Sequence, residues 1–412
     1  MRAIFHALME PDMKASILLF LPLTAVLGCA AVRTPENTEP VAAGLGYQAE
    51  YRDTDPMSDA ARDARNLRSL ELNLSRCTAE APAGSGAGFG ADVELLSQGD
   101  LLDVEVETDD VFSGAFEVSR DGRLKLPHLS AVKAHGRAVE AVEAEIAAAL
   151  KAQGYYRRTP QVSIRIREFG AARVFVAGAV FETGAHDLGG RRGAEPDRAR
   201  QAALGAATET RNLTSALRAA GGVRPDADLS RVVVRRGGKE IVLDLRGAID
   251  GRAHTDLMLI AGDEVEVASR GCFQEALMTP SVLSPPGAKV YLSNLTKPAD
   301  ANALAAIGKD ARELQYGTRF LQAVVGMNCV GGTALTNADR YAVLFTSNPL
   351  TGKSIVIERR IEDLVRRADR DEFNPYLLPG DAIACYDSTV TNVVDIAKSI
   401  SAVLGTGILL AL

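Results

Sequence analysis

The residues in this sequence equipped for chemistry are five cysteines, five histidines and a few close-set charged groups. Cys29, Cys77, Cys272, Cys329 and Cys385 contain no Cys-x-x-Cys pair, and His6, His128, His135, His186 and His254 are scattered, so neither a zinc site nor a dithiol redox site is expected. Asp109 and Asp110 are neighbouring carboxylates, the residue type that glycoside hydrolysis uses in pairs. Ser113 and Gly114 follow them closely, so the stretch reads as a solvated turn instead. His128 follows Pro127 with no residue marked to orient it as a general base. Tyr155-Tyr156-Arg157-Arg158 has the composition to touch an anionic polymer, though a surface loop is the simpler reading. Arg359-Arg360 and Arg366-Arg367 have acidic neighbours and read as salt-bridged surface. The alternating glycines at 84, 86, 88 and 90 follow no strand and open no helix, so they form a linker and not a phosphate loop. No enzyme and no cofactor are expected.

Composition narrows the classes further. Hydrophobic residues make up 47% of the 412 and charged residues 24%, enough to build several cores. A net charge of −7, with no basic run interleaved with aromatics, argues against nucleic acid. Tryptophan is absent, which argues against a tight sugar-stacking platform. Met13-Lys14 opens a short basic stretch, residues 15–27 are apolar, and Val26-Leu27-Gly28-Cys29 closes them. That ending resembles a bacterial lipobox, so residues 1–28 are expected to be a lipoprotein signal peptide and Cys29 the lipidated N-terminus. Ala30, in place of aspartate, favours the outer membrane. Four cysteines then remain for two disulfides, with three connectivities open.

Residues 29–90 read as a tether and linker, with one helix-like patch at 60–74. Beyond it a Gly-Asp turn launching an alternating strand occurs three times, at Gly99-Asp100, Gly262-Asp263 and Gly380-Asp381. Glycine tolerates positive φ and aspartate closes a turn with its side chain, so the three aspartates are read as structural. Before the last two turns runs the same order: a strand (174–180, 290–295), a helix closing on paired glycines (213–222, 320–332) and a hairpin (231–244, 341–358). This is a β-grasp order, seen twice. The segment before it differs: 118–126 alternates around Asp121-Gly122 as a hairpin, 139–150 is an Ala-rich amphipathic helix and 161–167 alternates as a strand.

The lipobox and this domain order together resemble the outer-membrane polysaccharide export lipoproteins of the Wza type. The resemblance implies an α+β, multi-domain chain: a polysaccharide-export domain at 91–168, two SLBB-like β-grasp domains at 169–270 and 286–388, and a C-terminal amphipathic transmembrane helix at 389–412. It implies a homo-oligomeric ring that conducts a capsular, holdfast or other exopolysaccharide. The expected partners are that polymer, outer-membrane lipid and an inner-membrane polysaccharide co-polymerase, with the bulk of the protein in the periplasm. The alternative is a periplasmic ligand-binding or adaptor lipoprotein without a pore. The second β-grasp domain departs from the family in carrying Cys329, Cys385 and an insertion at 294–315. Cys329 follows that domain's helix and Cys385 lies in its last strand, so a bridge between them is expected, which leaves Cys77 for Cys272.

At about 1.5 Å per residue, the 23 residues of 390–412 reach roughly 34 Å as a helix, enough for a hydrocarbon core of about 30 Å. Asn392, Asp395, Ser399 and Thr406 share one side with Thr391 and Lys398 and are expected to face the pore. Val393, Ile396, Ile400, Val403 and Leu404 share the other, with Ala397 and Ile408, and are expected to face lipid; the alternative is a helix that packs this apolar face onto the second β-grasp domain.

Overall fold

The computed structural model describes Cys77 and residues 94–107, 109–189, 210–294, 312–330, 340–349, 354–366 and 374–387. Cys29, the 60–74 patch, the glycine linker and the whole expected C-terminal helix, with its polar and apolar stripes, lie outside the described residues. The architecture is mixed and strand-rich, with several separate sheets and few helices.

The first unit contains β1 (Leu101–Val106), β2 (Asp109–Glu117), β3 (Arg123–Leu124), β4 (Val132–Lys133), α1 (Val139–Ala152) and β5 (Val162–Glu168). The strands pair antiparallel in the order β2-β1-β5, and β3 and β4 form a separate two-residue ladder. Val142, Ile146 and Leu150 recur every fourth residue along α1 and put one apolar stripe over the sheet. There they join Leu102, Val104, Ile164 and Ile166 in one core. Glu143 on α1 accepts the Ile164 backbone N–H of edge strand β5 at 2.7 Å. That contact occupies a donor that an open sheet edge would otherwise expose. The hairpin expected over 118–126 is a correction: Asp121-Gly122 makes a tight turn, but Ser119 and Arg123 pair only once across it. The chain beyond it pairs Arg123 and Leu124 with Lys133 and Val132 instead.

Two further sheets follow with one topology. The first module runs β6 (Ala172–Gly178), β7 (Gly184–Leu188), α2 (Leu213–Ala219), β8 (Ala227–Arg236), β9 (Lys239–Leu243), α3 (Gly247–Asp250) and β10 (Glu264–Ser269). The second runs β11 (Ala288–Asn294), β12 (Arg312–Leu314), α4 (Phe320–Gly326), β13 (Arg340–Ser347), β14 (Ser354–Arg360), α5 (Ile361–Arg366) and β15 (Ala382–Asp387). Strand order is β7-β6-β10-β8-β9 in one and β12-β11-β15-β13-β14 in the other. In both, the first and last strands lie side by side and parallel. Alternation builds each core: Val232, Val234, Val265 and Val267 meet Leu213, Ala216 and Leu217 of α2. Ala342, Leu344, Ile357 and Ile383 meet Phe320, Ala323 and Val324 of α4. Strand β12 forms within the expected insertion, whose residues 295–311 lie outside the described set.

Arg359 also departs from expectation. On β14 successive side chains alternate, so an Arg-Arg pair must send one member inward. Arg359 is that member, buried on the core face beside Ala342, while Arg360 and Arg366 stay outside near Glu362.

Two disulfides tie these units. Cys329, just after α4, is bonded to Cys385 on β15, and both lie in the second module's core. Cys77 is bonded to Cys272 in the segment joining the two modules, and its N–H donates to the Phe273 carbonyl at 3.1 Å. Cys77 and Cys272 are partly exposed. Under native conditions with mild reductant, thiol alkylation followed by peptide mapping should therefore reach Cys77 and Cys272 before Cys329 and Cys385. The reverse order contradicts the burial.

Candidate functional site

The three Gly-Asp turns share one hydrogen-bonding device. In each, the aspartate carboxylate accepts the backbone N–H three residues back: Ser97 to Asp100 at 2.7 Å, Ile260 to Asp263 at 2.9 Å and Leu378 to Asp381 at 2.8 Å. All three aspartates are buried. What differs is the counter-charge.

Asp100 takes its partner from the next unit. Arg211, at the start of α2, donates to it at 2.7 Å, and neither side chain has any solvent exposure. Burial raises the Asp100 carboxyl, and Arg211 with the Ser97 and Gly170 amides counters it. Arg211 also donates to the Leu259 carbonyl at 3.2 Å and lies 5.2 Å from the Phe169 ring centre. Gly170 donates to Asp100 at 2.8 Å and packs backbone on backbone: a Cβ there would stand 2.4 Å from the Gly99 carbonyl carbon. A second turn closes on the first, since the Ala261 N–H donates to the Ser97 hydroxyl at 3.0 Å. Asp263 of that second turn holds Arg236 in a fork, with contacts of 2.9 and 2.6 Å. His135 lies partly buried beside both turns; burial lowers its ring pKa, against the charges of Asp263 and Asp100, and its Nδ1 has no hydrogen-bond partner. The first unit and the first module thus meet through a dry, charged joint.

Asp381 has no arginine in this place. Arg235 and Phe345 occupy matching positions, opposite Glu264 and Ala382, so the residue matching Arg236 is Thr346. Burial pushes the Asp381 carboxyl up to about 7, against the Thr346 hydroxyl and the Leu378 amide. The second module is held instead through side chains of the connecting segment. Phe273 stacks on Tyr376 at 6.2 Å, and Arg319 lies 3.9 Å from the Tyr376 ring centre and 3.0 Å from Glu275.

The other residues singled out by type do not converge. Asp109 and Asp110 open β2, a correction to the turn expected there, and neighbours on a strand point to opposite faces. Asp109 accepts the Tyr156 hydroxyl at 2.7 Å, which holds its carboxyl below the usual range. Burial and that carboxylate push Tyr156 up to about 12. The His128 carbonyl accepts the Tyr155 hydroxyl at 3.0 Å. Among the described residues, no three His, Cys, Asp or Glu side chains gather closely enough to hold a metal ion. Sequence reading found the aspartates but missed Arg211 and Arg236, which lie 111 and 27 residues from their partners and carry no local mark.

Residues 91–167 match the polysaccharide biosynthesis/export protein family. The first unit is therefore similar to that family's domain. It supports a role for the chain in polysaccharide export, and it ends three residues before Gly170 of the joint. No curated protein sequence matched the chain significantly. Among the described residues no helix is long and apolar enough to cross a membrane.

Two outcomes test the joint and the unpaired turn of the second module. Arg211→Ala leaves a buried carboxylate uncompensated and should lower stability to urea by about 3–5 kcal/mol; a loss below about 1 kcal/mol contradicts the pairing. Asp381 keeps its proton in the folded chain while the unfolded chain ionises near the ordinary 3.8. Its contribution should be fully present below about pH 4 and be lost as pH rises to about 7, on the order of 4 kcal/mol at about 1.4 per unit. Asp381→Asn should remove that slope; equal slopes in both proteins contradict the assignment.

Proposed function

We propose that this chain is a subunit of an outer-membrane conduit that passes an exopolysaccharide out of the cell. The polysaccharide-export domain at residues 91–167 is the observation that carries the reading. Two modules with the strand order of β7-β6-β10-β8-β9 and its repeat support it, since that order with a parallel central pair is a β-grasp arrangement. In this reading Cys29 is acylated and holds the chain on the outer membrane, where a multiply acylated cysteine anchors stably and a single chain does not. Identical subunits meet through one heterologous interface and close into a ring. Residues 389–412 supply one amphipathic stave each, with Asn392, Asp395, Ser399 and Thr406 toward water and Val393, Ile396, Ile400, Val403 and Leu404 toward lipid. An inner-membrane polysaccharide co-polymerase delivers the polymer from below.

The joint suits this role mechanically. A wall built from successive domains keeps its bore only if the domains hold fixed angles, and the Asp100–Arg211 pair locks the first of those angles.

Electron microscopy of the lipidated, detergent-solubilised protein tests the proposal. Closed rings of constant subunit number are expected. A monomer at all concentrations contradicts the conduit and leaves the adaptor reading.

A further inference from the structure

The first unit carries an arrangement of charge that its own fold does not call for. Arg123 and Lys133 stand directly opposite each other across the β3–β4 ladder. Residues paired this way point to the same face, and both are exposed while their neighbours Leu124 and Val132 are buried. Like charges facing each other across a ladder are destabilising. A single lysine would already guard so short a ladder against edge pairing. Lys125 continues the alternation of exposed and buried residues beyond Arg123, and the Arg137 guanidinium reaches the Lys133 carbonyl at 2.9 Å. Residues 120–137 hold five Lys and Arg against one carboxylate, Asp121, in a chain whose net charge is −7. Asp121 is taken up by Lys125 at 3.0 Å, and Glu145 of α1 by Arg137. Among the described residues, neither Arg123 nor Lys133 has a carboxylate in contact.

These cations border a loop that also carries an aromatic. Arg123 Nη1 donates to the Ala131 carbonyl at 3.2 Å. Gln153 donates to the Ser130 hydroxyl at 3.3 Å, and Tyr155 to the His128 carbonyl at 3.0 Å. The loop of residues 128–131 thus links the cations to Tyr155, which is 48% exposed. Its ring meets Phe112 edge to face at 5.1 Å, and exposed Arg157 and Arg158 follow it. A ring held this way presents an apolar face beside polar groups at the surface, where the C–H face of a sugar can rest.

We propose that this strip, from Lys133 and Arg123 across the loop to Tyr155, is a contact site for an acidic polysaccharide whose sugars bear carboxylates. The proposal rests on the export reading above and deepens it by naming the charge class of the polymer. A carboxylate set between Arg123 and Lys133 turns their repulsion into charge-assisted hydrogen bonds, and Arg123 keeps most of its N–H donors for it. A membrane surface fits less well, because the apolar residues of this stretch, Leu124, Leu126 and Val132, are buried and not offered for insertion. The contacts are exposed and screened by salt, so each holds a chain weakly. Weak holding suits a polymer that must move on.

Calorimetry of short oligogalacturonate, a chain of carboxylate-bearing sugars, with the full lipidated protein in neutral detergent tests the site. Oligogalacturonate should bind, and bind less as salt rises. Neutral maltooligosaccharide of the same length should not bind, and free galacturonate at equal carboxylate concentration should not compete, since only the linked sugars engage several contacts at once. Arg123→Gln combined with Lys133→Gln should weaken binding by about tenfold through loss of charge-assisted contacts. The melting temperature should stay or rise, because a repulsion is removed. Lys133→Arg should keep the affinity, and Tyr155→Ala should lower it. Unchanged affinity in the double variant or in Tyr155→Ala, equal binding of the neutral chain, displacement by free galacturonate, or affinity lost only together with melting temperature overturns the site. Competition by phosphatidylglycerol mixed into the detergent also overturns it, making the strip a lipid contact. Electron microscopy of the same preparation reads the ring separately: rings that bind no acidic oligosaccharide sink this proposal and leave the conduit standing.

Discussion

A carboxylate and a guanidinium with no access to water, Asp100 and Arg211, hold the first unit against the module that follows it. An ion pair taken wholly out of water is not inherently stabilising, because desolvation opposes the attraction. The carboxylate is well satisfied, since Ser97 and Gly170 also donate to it, whereas Arg211 reaches the Leu259 carbonyl, lies against Phe169 and leaves its buried Nη2 without a hydrogen-bond partner. Such a pair admits few alternative geometries. Rotating one domain against the other would leave a buried charge uncompensated, so its consequence is a fixed angle more than added stability. The Gly99 backbone also approaches Gly170 so closely that no Cβ fits at Gly170, which restricts the same joint sterically.

The chain uses one turn three times and changes only its electrostatic partner. Asp100 is met by an arginine from the next unit and Asp263 by Arg236 of its own sheet, whereas Asp381 has Thr346 at the matching position, its buried hydroxyl making no hydrogen bond. The series runs from a joint between domains, to a brace within one, to a buried acid that keeps its proton near neutrality. The second module compensates through covalent and aromatic means. The Cys329–Cys385 bond crosses its core, and Phe273, Tyr376 and Arg319 hold it to the connecting segment, beside the Cys77–Cys272 bond.

What the sequence made legible was whatever depends on near neighbours. The Gly-Asp turns, the Ile146-centred stripe of α1 and the Val232–Val234 alternation of β8 are local patterns with a period of three, four or two residues. The edge strands β7 and β12 escaped notice because they are short and find their partner only after folding. Arg359 misled because charge in a sequence suggests surface, while strand alternation leaves one of two adjacent arginines inside. The joint was half legible: its aspartates recur, but Arg211 comes from 111 residues away, and nothing near it marks a side chain destined for a fully buried ion pair.

If the joint sets the geometry of the wall, the angle between the export domain and the first module must be single-valued in solution. Electron–electron resonance between spin labels at Ala148→Cys on α1 and Lys239→Cys on the β8–β9 turn reads it directly, since both positions are exposed and belong to the two units. One narrow distance distribution, unchanged between monomer and assembled protein, is the result this account predicts. A broad or two-peaked distribution in the monomer that narrows only on assembly would contradict it, because the angle would then be set by neighbouring subunits and not by Asp100 and Arg211.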